Sequence, residues 1–197
     1  MKRIITIVGI LFCLNVFSQV GNKIWTETEK ISTEIYEFKV PVSWRNYGKM
    51  MSRGDSPEQF FEASGKGFPI SFNGGSVKIS IFLVNLDKAK SLKDAKKSTI
   101  NGYFENPDRV FEKKNNYSEK TFKLSDNSEA IILNTQFYRT SKGLNQSRYD
   151  LITYSEQHKT AYMFTVSVQY IDNTYAFEID NNLMGYAEKL YETYKWK

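Results

Sequence analysis

The sequence predicts an α+β domain in which helices pack on a twisted, mainly antiparallel β-sheet. Apolar residues alternate with a period of two along residues 77–84, which is typical of a strand. They recur with a helical period in residues 91–104 and 174–194. A series of strands follows between residues 117 and 171 with turns too short for parallel crossovers, so this part of the sheet is predicted to be antiparallel.

The predicted elements begin with a strand at residues 34–40, where aromatic and β-branched side chains alternate and a proline ends the run. Residues 42–54 are predicted to be a loop, residues 59–63 a short strand, and residues 65–75 a glycine-rich connection. The strand at 77–84 is apolar on both faces toward its end, which predicts a central position with cover on each side.

Two amphipathic helices are predicted to cover the sheet. In residues 91–104, Ser91 and Asp94 resemble a capping pair at the start, and Pro107 prevents continuation. The helix at 174–194 is long, with capping residues before it and lysines near its end. The strands between these helices are predicted at residues 117–124, 129–140, 147–155 and 160–171.

The first nineteen residues have the three-part arrangement of a secretory signal peptide. A basic start precedes an apolar run at 4–17, and Ser18 then predicts cleavage before Gln19 and a periplasmic or secreted protein. The run is shorter than the about 20 apolar residues that a membrane span needs. The alternatives are an uncleaved anchor and a lipid anchor through Cys13. The predicted division is a cleaved signal peptide at 1–18, a flexible segment at 19–30 and a single domain at 31–197.

The composition of the mature chain excludes several classes of function. Loss of Lys2, Arg3 and Cys13 leaves 25 basic and 22 acidic side chains, so the net charge falls from +5 to +3. These charges are scattered, and we expect no nucleic-acid partner. A chain without cysteine has no disulfide, no cysteine-based zinc site and no thiol catalysis. No second apolar run is long enough to span a membrane, so we expect no transmembrane span in the mature chain.

No motif indicates a catalytic residue, a metal site or a cofactor, and we expect none of the three. His158 is the only histidine and lies in a predicted hairpin turn, without partners for a triad or a zinc site. The glycines of residues 65–75 precede a strand, whereas a phosphate-binding loop precedes a helix. Asp55 with Glu58 or Glu62 offers a carboxylate pair of the kind that hydrolyses glycosides, but nothing distinguishes these acids from solvated surface residues.

The candidate binding residues are Trp44, Arg45, Tyr47 and Arg53, in the loop predicted before the strand at 77–84. Aromatic and cationic side chains mixed in a loop suit contact with a protein, an anionic group or a sugar. The alternative is that Trp44 and Tyr47 pack the loop against the sheet, since aromatic side chains usually bury most of their area.

Three segments resemble the PsbP/Mog1/DcrB-like superfamily: FKVPVSW at 38–44, VKISIFLVN at 77–85 and SLKDAKKSTINGYF at 91–104. With the later strands and terminal helix, the resemblance extends over residues 34–194. It implies an α/β/α sandwich around a central antiparallel sheet, a non-enzymatic binding or assembly role, and no functional residue that can be carried over.

The sequence as a whole therefore predicts an exported, non-enzymatic binding or assembly module of the cell envelope. Its partner is expected to be a protein or another envelope component, and nothing indicates an oligomeric state. One alternative is an extracytoplasmic hydrolase with an unrecognised carboxylate site. A second is a structural partner in an envelope complex that holds no small ligand.

Mass spectrometry of the exported protein tests the leader. We expect the mature chain to begin at Gln19, because Ser18 provides the small residue at the cleavage edge. A chain that begins with a lipid-modified Cys13, or that retains Met1, contradicts the predicted processing.

Overall fold

The computed structural model describes residues 27–48, 59–63, 71–72, 75–76, 79–111, 117–170 and 176–197. Within these ranges the chain forms thirteen strands and two helices. The helices are α1 (Leu92–Phe104) and α2 (Ala176–Glu192). The strands are β1 (Thr28–Ser32), β2 (Tyr36–Pro41), β3 (Arg45–Gly48), β4 (Gln59–Ala63), β5 (Ser71–Phe72), β6 (Gly75–Ser76), β7 (Ile79–Asn85), β8 (Arg109–Val110), β9 (Tyr117–Lys123), β10 (Glu129–Arg139), β11 (Leu144–Ser155), β12 (Thr160–Tyr170) and β13 (Lys195–Trp196).

The main sheet contains eight antiparallel strands and curls into a half-barrel. Its order is β3-β4-β7-β12-β11-β10-β8, and β9 also pairs with the outer side of β10. Strands β10, β11 and β12 have 11, 12 and 11 residues and form its centre. Gly143 in the turn between β10 and β11 has a φ of 63°, a conformation that glycine adopts without the steric penalty of a Cβ.

The predicted fold class, an α/β/α sandwich with a long C-terminal helix, is wrong. Strands make up 53% of the structure, and the two described helices are short, with 13 and 17 residues. The three central strands are long and pair over almost their full length, so the sheet itself curls around much of the core. A second sheet of order β1-β2-β13 supplies further cover beside α2.

Several individual elements agree with the sequence. The strongest strand, predicted at 77–84, is β7, and the later strands predicted at 117–124, 129–140, 147–155 and 160–171 correspond to β9, β10, β11 and β12. Helix α1 begins after Ser91, whose hydroxyl accepts a hydrogen bond from the backbone N–H of Asp94 at 3.1 Å, so the predicted capping pair is confirmed.

Other strands lie where no strand was predicted. Residues 45–48 of the predicted loop form β3, and the paired strands β5 and β6 both begin within the predicted glycine-rich connection. Strand β1 includes the last residues of the predicted segment 19–30, and β13 follows α2. These strands are short or polar: in β1 only Ile31 is partly buried, so no alternation of apolar residues indicates it.

An aromatic core fills the face of the main sheet covered by α2 and the small sheet. The ring centroids of Phe38 and Phe164 are 4.7 Å apart, and those of Tyr36 and Tyr194 are 5.8 Å apart. Tyr191 of α2 also lies 5.8 Å from Phe164, and its hydroxyl donates to a backbone carbonyl of β11 at 2.7 Å. Because these rings are at most 1% exposed, this cluster joins α2 and both sheets.

A smaller core lies on the opposite face, beneath α1. Ala95 and Tyr103 of α1 are buried there against Leu133 of β10 and Ile152 of β11. Ala95 brings the helix close to the sheet near its start. Near the end of α1 the larger side chain of Tyr103 faces the sheet, and its hydroxyl reaches Asp150 of β11.

Replacement of Phe164 by alanine tests the aromatic core. We expect Phe164→Ala to lower the free energy of unfolding by about 3–5 kcal/mol, because it removes a fully buried ring and leaves a cavity. Urea denaturation provides the measurement. The control is Met184→Ala on the solvent side of α2, where we expect a change within about 0.5 kcal/mol. A loss below about 1 kcal/mol at Phe164 contradicts the packing described.

Candidate functional site

A groove separates α1 from the neighbouring face of the main sheet. Its cavity volume is about 570 Å³, which is within the usual range for small-molecule sites. Phe82 and Val84 of β7 and Met163 of β12 form one wall, and α1 presents Ser98 and Gly102 on the other. We call this space the α1 groove; Arg109 and Arg148 lie at one end of it, and Asp87, Lys88 and Asp94 lie along its rim.

The floor of the α1 groove contains a buried ion pair. Arg148 and Asp150 are two residues apart on β11, so both side chains lie on the face toward α1. Nε of Arg148 donates to both carboxylate oxygens of Asp150, at 2.6 and 2.8 Å. Asp150 is fully buried and Arg148 is 5% exposed, which makes this pair the most deeply buried charge in the described part of the chain.

Three more side chains complete the hydrogen bonds of the pair. The hydroxyls of Tyr103 and Thr165 both donate to Asp150. Nη2 of Arg148 donates to Thr165 Oγ1 at 3.2 Å and contacts the Met163 sulfur at 3.3 Å. The network therefore connects α1 with β11 and β12, and it supplies the additional hydrogen bonds that a buried ion pair needs to offset its desolvation.

Burial and neighbouring charges shift the protonation equilibria of the network. Burial raises the pKa of the Tyr103 hydroxyl well above its usual value, and the charge of Asp150 raises it further, so Tyr103 stays neutral and donates. Burial lowers the pKa of the Arg109 guanidinium, and the charge of Arg148 adds to that effect. For Arg148, burial has the largest single effect and lowers the pKa, but the combined interactions with Asp150, Tyr103 and Tyr191 outweigh it and the pKa is raised.

Two guanidinium groups retain N–H donors that have no acceptor in the described part of the chain. Nε and Nη2 of Arg148 are bonded as described, whereas Nη1 has no acceptor among the residues that the structure describes. Nη1 of Arg109 donates to the Gly102 carbonyl at 3.2 Å, but its buried Nε has no acceptor in the same part of the chain. Both guanidinium carbons lie within 6 Å of the Tyr103 ring centroid, at 5.8 Å for Arg109 and 5.4 Å for Arg148.

These charges leave the inner end of the groove positive. Arg109 and Arg148 contribute two positive charges, and Asp150 of β11 contributes one negative charge. Guanidinium groups with free N–H donors bind carboxylate and phosphate oxygens through charge-assisted hydrogen bonds. This arrangement can therefore hold an anionic group by hydrogen bonding.

Of the four binding residues predicted from the sequence, only Trp44 has a described side chain. Trp44 is 4% exposed and packs in the aromatic core, as its alternative interpretation expected. Arg45 and Tyr47 belong to β3, but their side chains are outside the description, and Arg53 lies wholly outside the described residues. The structure does not bring these residues to the α1 groove among the side chains it describes.

The other chemical candidates are also distant or outside the description. Asp55 and Glu58 lie outside the described residues, and Glu62 is in β4, paired with Ser80 in β7. His158 lies in the turn between β11 and β12, as predicted, with Nε2 2.6 Å from a backbone oxygen of Lys197.

The sequence analysis missed the residues of the α1 groove. A signal was present: Arg148 and Asp150 place two charges with a period of two inside a strand that is otherwise largely buried. Charged side chains are almost never fully buried unless they are paired. Two charges on one face of a central strand therefore predict an internal ion pair.

Within the described ranges, no group of three or more His, Cys, Asp or Glu side chains is placed to hold a metal ion. Neither described helix is both long and apolar enough to cross a membrane. No family model matches the sequence, and no curated protein matches it. The resemblance to the PsbP/Mog1/DcrB-like superfamily stays a prediction, and the mostly β structure contradicts the sandwich that it implies.

Replacement of Asp150 tests the ion pair. We expect Asp150→Ala to lower the free energy of unfolding by about 3–5 kcal/mol, because it leaves the Arg148 charge buried without a partner. Urea denaturation gives the value. The control is Glu156→Ala, which breaks an exposed pair with Lys159 and is expected to change stability by less than about 1 kcal/mol. Equal effects in the two variants contradict the buried pair.

Proposed function

We propose that this protein is a non-enzymatic binding module that holds an anionic group in the α1 groove. One observation carries the proposal: Arg109 and Arg148 line the same cavity, and the buried Nε of Arg109 and Nη1 of Arg148 have no acceptor among the described residues. A buried donor without an acceptor is unfavourable, and an anionic oxygen supplies the missing partner.

The electrostatics of the groove support the same ligand chemistry. Burial and the like charge of Arg148 both make the charged form of Arg109 less favourable. Asp150 carries a single negative charge and is bound directly to Arg148, so it neutralises only part of the positive charge of the two arginines. A carboxylate or phosphate group between the two guanidinium groups offsets the remaining repulsion.

A binding role fits the state of Asp150 better than a catalytic one. Its carboxylate accepts hydrogen bonds from Arg148, Tyr103 and Thr165, so its oxygens are occupied by protein donors. A general base needs a free oxygen within hydrogen-bond distance of the proton that it removes. Asp150 therefore gives no support to the hydrolase alternative.

The predicted leader and the net charge indicate where the protein acts and what kind of ligand it binds. The signal peptide predicted at residues 1–18 supports a periplasmic or secreted protein, whose ligand belongs to an envelope component or to the medium. The predicted mature chain has a net charge of only +3, and its basic residues are scattered along the sequence. This distribution favours a small anionic ligand over nucleic acid. Trp44 offers little exposed surface, so the proposed contact with a partner moves from the region around Trp44 to the groove.

An NMR titration tests the proposed function. Acetate and inorganic phosphate are added separately to the mature protein at low ionic strength while the arginine Nε–Hε signals are recorded. We expect the Arg109 signal to shift and saturate, because its buried Nε gains an acceptor. The stronger of the two anions identifies the preferred head group.

The matched variants are Arg109→Gln and Lys97→Gln. Each removes one positive charge, but Lys97 is an exposed residue of α1 away from the cavity lining. We expect Arg109→Gln to weaken anion binding by about tenfold or more, the value of one charge-assisted hydrogen bond. Lys97→Gln should leave it within about twofold. Equal losses, or no saturable shift with either anion, contradict the proposal.

A further inference from the structure

We propose that the ligand of the α1 groove is an amphipathic anion whose head group lies at Arg109 and Arg148 and whose apolar chain lies along Phe82, Val84 and Met163. The inference rests on the proposed function for the position of the head group. It adds the chemistry of the rest of the ligand, which is an unbranched apolar chain of medium length.

The apolar wall of the groove is built from two neighbouring strands. Phe82 and Val84 alternate along β7 and therefore share one face, and Met163 lies directly opposite Val84 in the β7–β12 pairing. All three side chains are only partly buried, although they lie between a helix and the centre of the sheet. This leaves apolar surface that a hydrocarbon chain can cover, and methionine adapts well to such a partner.

On the opposite wall, the α1 residues between Asp94 and Tyr103 that line the groove have small side chains or none. Ser98 and Gly102 are four residues apart, so they lie one above the other on the helix. A Cβ added to Gly102 would meet nothing within 4 Å. Glycine destabilises a helix interior relative to alanine, and here no close contact requires it. The absence of a side chain therefore keeps the groove open beside Arg109.

The distribution of charge gives the ligand a direction. The guanidinium groups lie near Gly102, whereas Asp87 and Asp94 lie toward the first turn of α1. Gly102 lies eight residues after Asp94, which corresponds to about 12 Å along the helix. On the rim, Asp87 and Asp94 exceed Lys88 by one negative charge. An anionic head is therefore attracted to the arginine end, and the chain extends from Arg109 toward Asp94 along the apolar wall.

Calorimetric titration with a homologous series of carboxylates tests the inference on the mature protein. The probes are acetate, butyrate, hexanoate, octanoate and decanoate, each below its micelle concentration. We expect the dissociation constant to fall by roughly fourfold for each added methylene until the groove is filled. Decyltrimethylammonium has a chain of the same kind with a cationic head, and we expect it to bind at least about tenfold more weakly than decanoate.

Two glycine variants provide a matched comparison. Gly102→Leu places a side chain in the groove, and Gly185→Leu does the same on α2, where a Cβ also meets nothing within 4 Å. We expect Gly102→Leu to weaken octanoate and acetate alike by about tenfold or more, because the added side chain lies beside Arg109 where the head group binds. Gly185→Leu should leave both unchanged. The chain-length dependence of the wild-type protein requires no variant, so the inference remains testable if Gly102→Leu does not fold.

The outcomes separate this inference from the proposed function. Acetate binding that requires Arg109, without tighter binding of longer chains, overturns the amphipathic ligand and leaves the anion site intact. Equal binding of decanoate and decyltrimethylammonium also overturns it, because the head group then contributes nothing. If no carboxylate binds and phosphate gives no saturable shift, the anion site itself fails.

Discussion

The buried ion pair between Arg148 and Asp150 is the constraint on which the arrangement of α1 depends. The pair is stable in this interior only because Tyr103 and Thr165 complete its hydrogen bonds. Tyr103 can reach Asp150 only if α1 crosses β11 at this point, so the polar floor determines where the helix lies. The α1 groove is the space left beside that contact, and its charge comes from the same residues.

The local elements of the fold could be predicted from the sequence because their signals are local. Strand β7 and helix α1 show a period of two and a period of 3.6 within their own residues. The fold class could not be predicted in the same way. The curl of the main sheet depends on how β10, β11 and β12 pair along their length, and β1 and β13 exist as strands only because β2 lies between them.

The candidate site was harder to predict than the fold. Arg148 and Asp150 carry a recognisable pattern, two charges on one face of a buried strand. Arg109 carries none, because its place at the groove depends on the pairing of the two-residue strand β8 with the end of β10. Trp44 was predicted to bind a ligand because aromatic and cationic side chains occur together in its predicted loop. Its burial results from packing with residues far away in sequence, which a local pattern does not reveal.

The small sheet also affects the order in which the protein can fold. Trp196 pairs with Tyr36, so the two strands that meet there are separated by most of the described chain. Contacts between residues so far apart in sequence form slowly, because the entropy of closing the intervening chain must be lost first. During synthesis, β2 therefore cannot complete its pairing until β13 has been made, whereas the hairpins of β10, β11 and β12 can form earlier. Completion of the aromatic core is then a late event in folding.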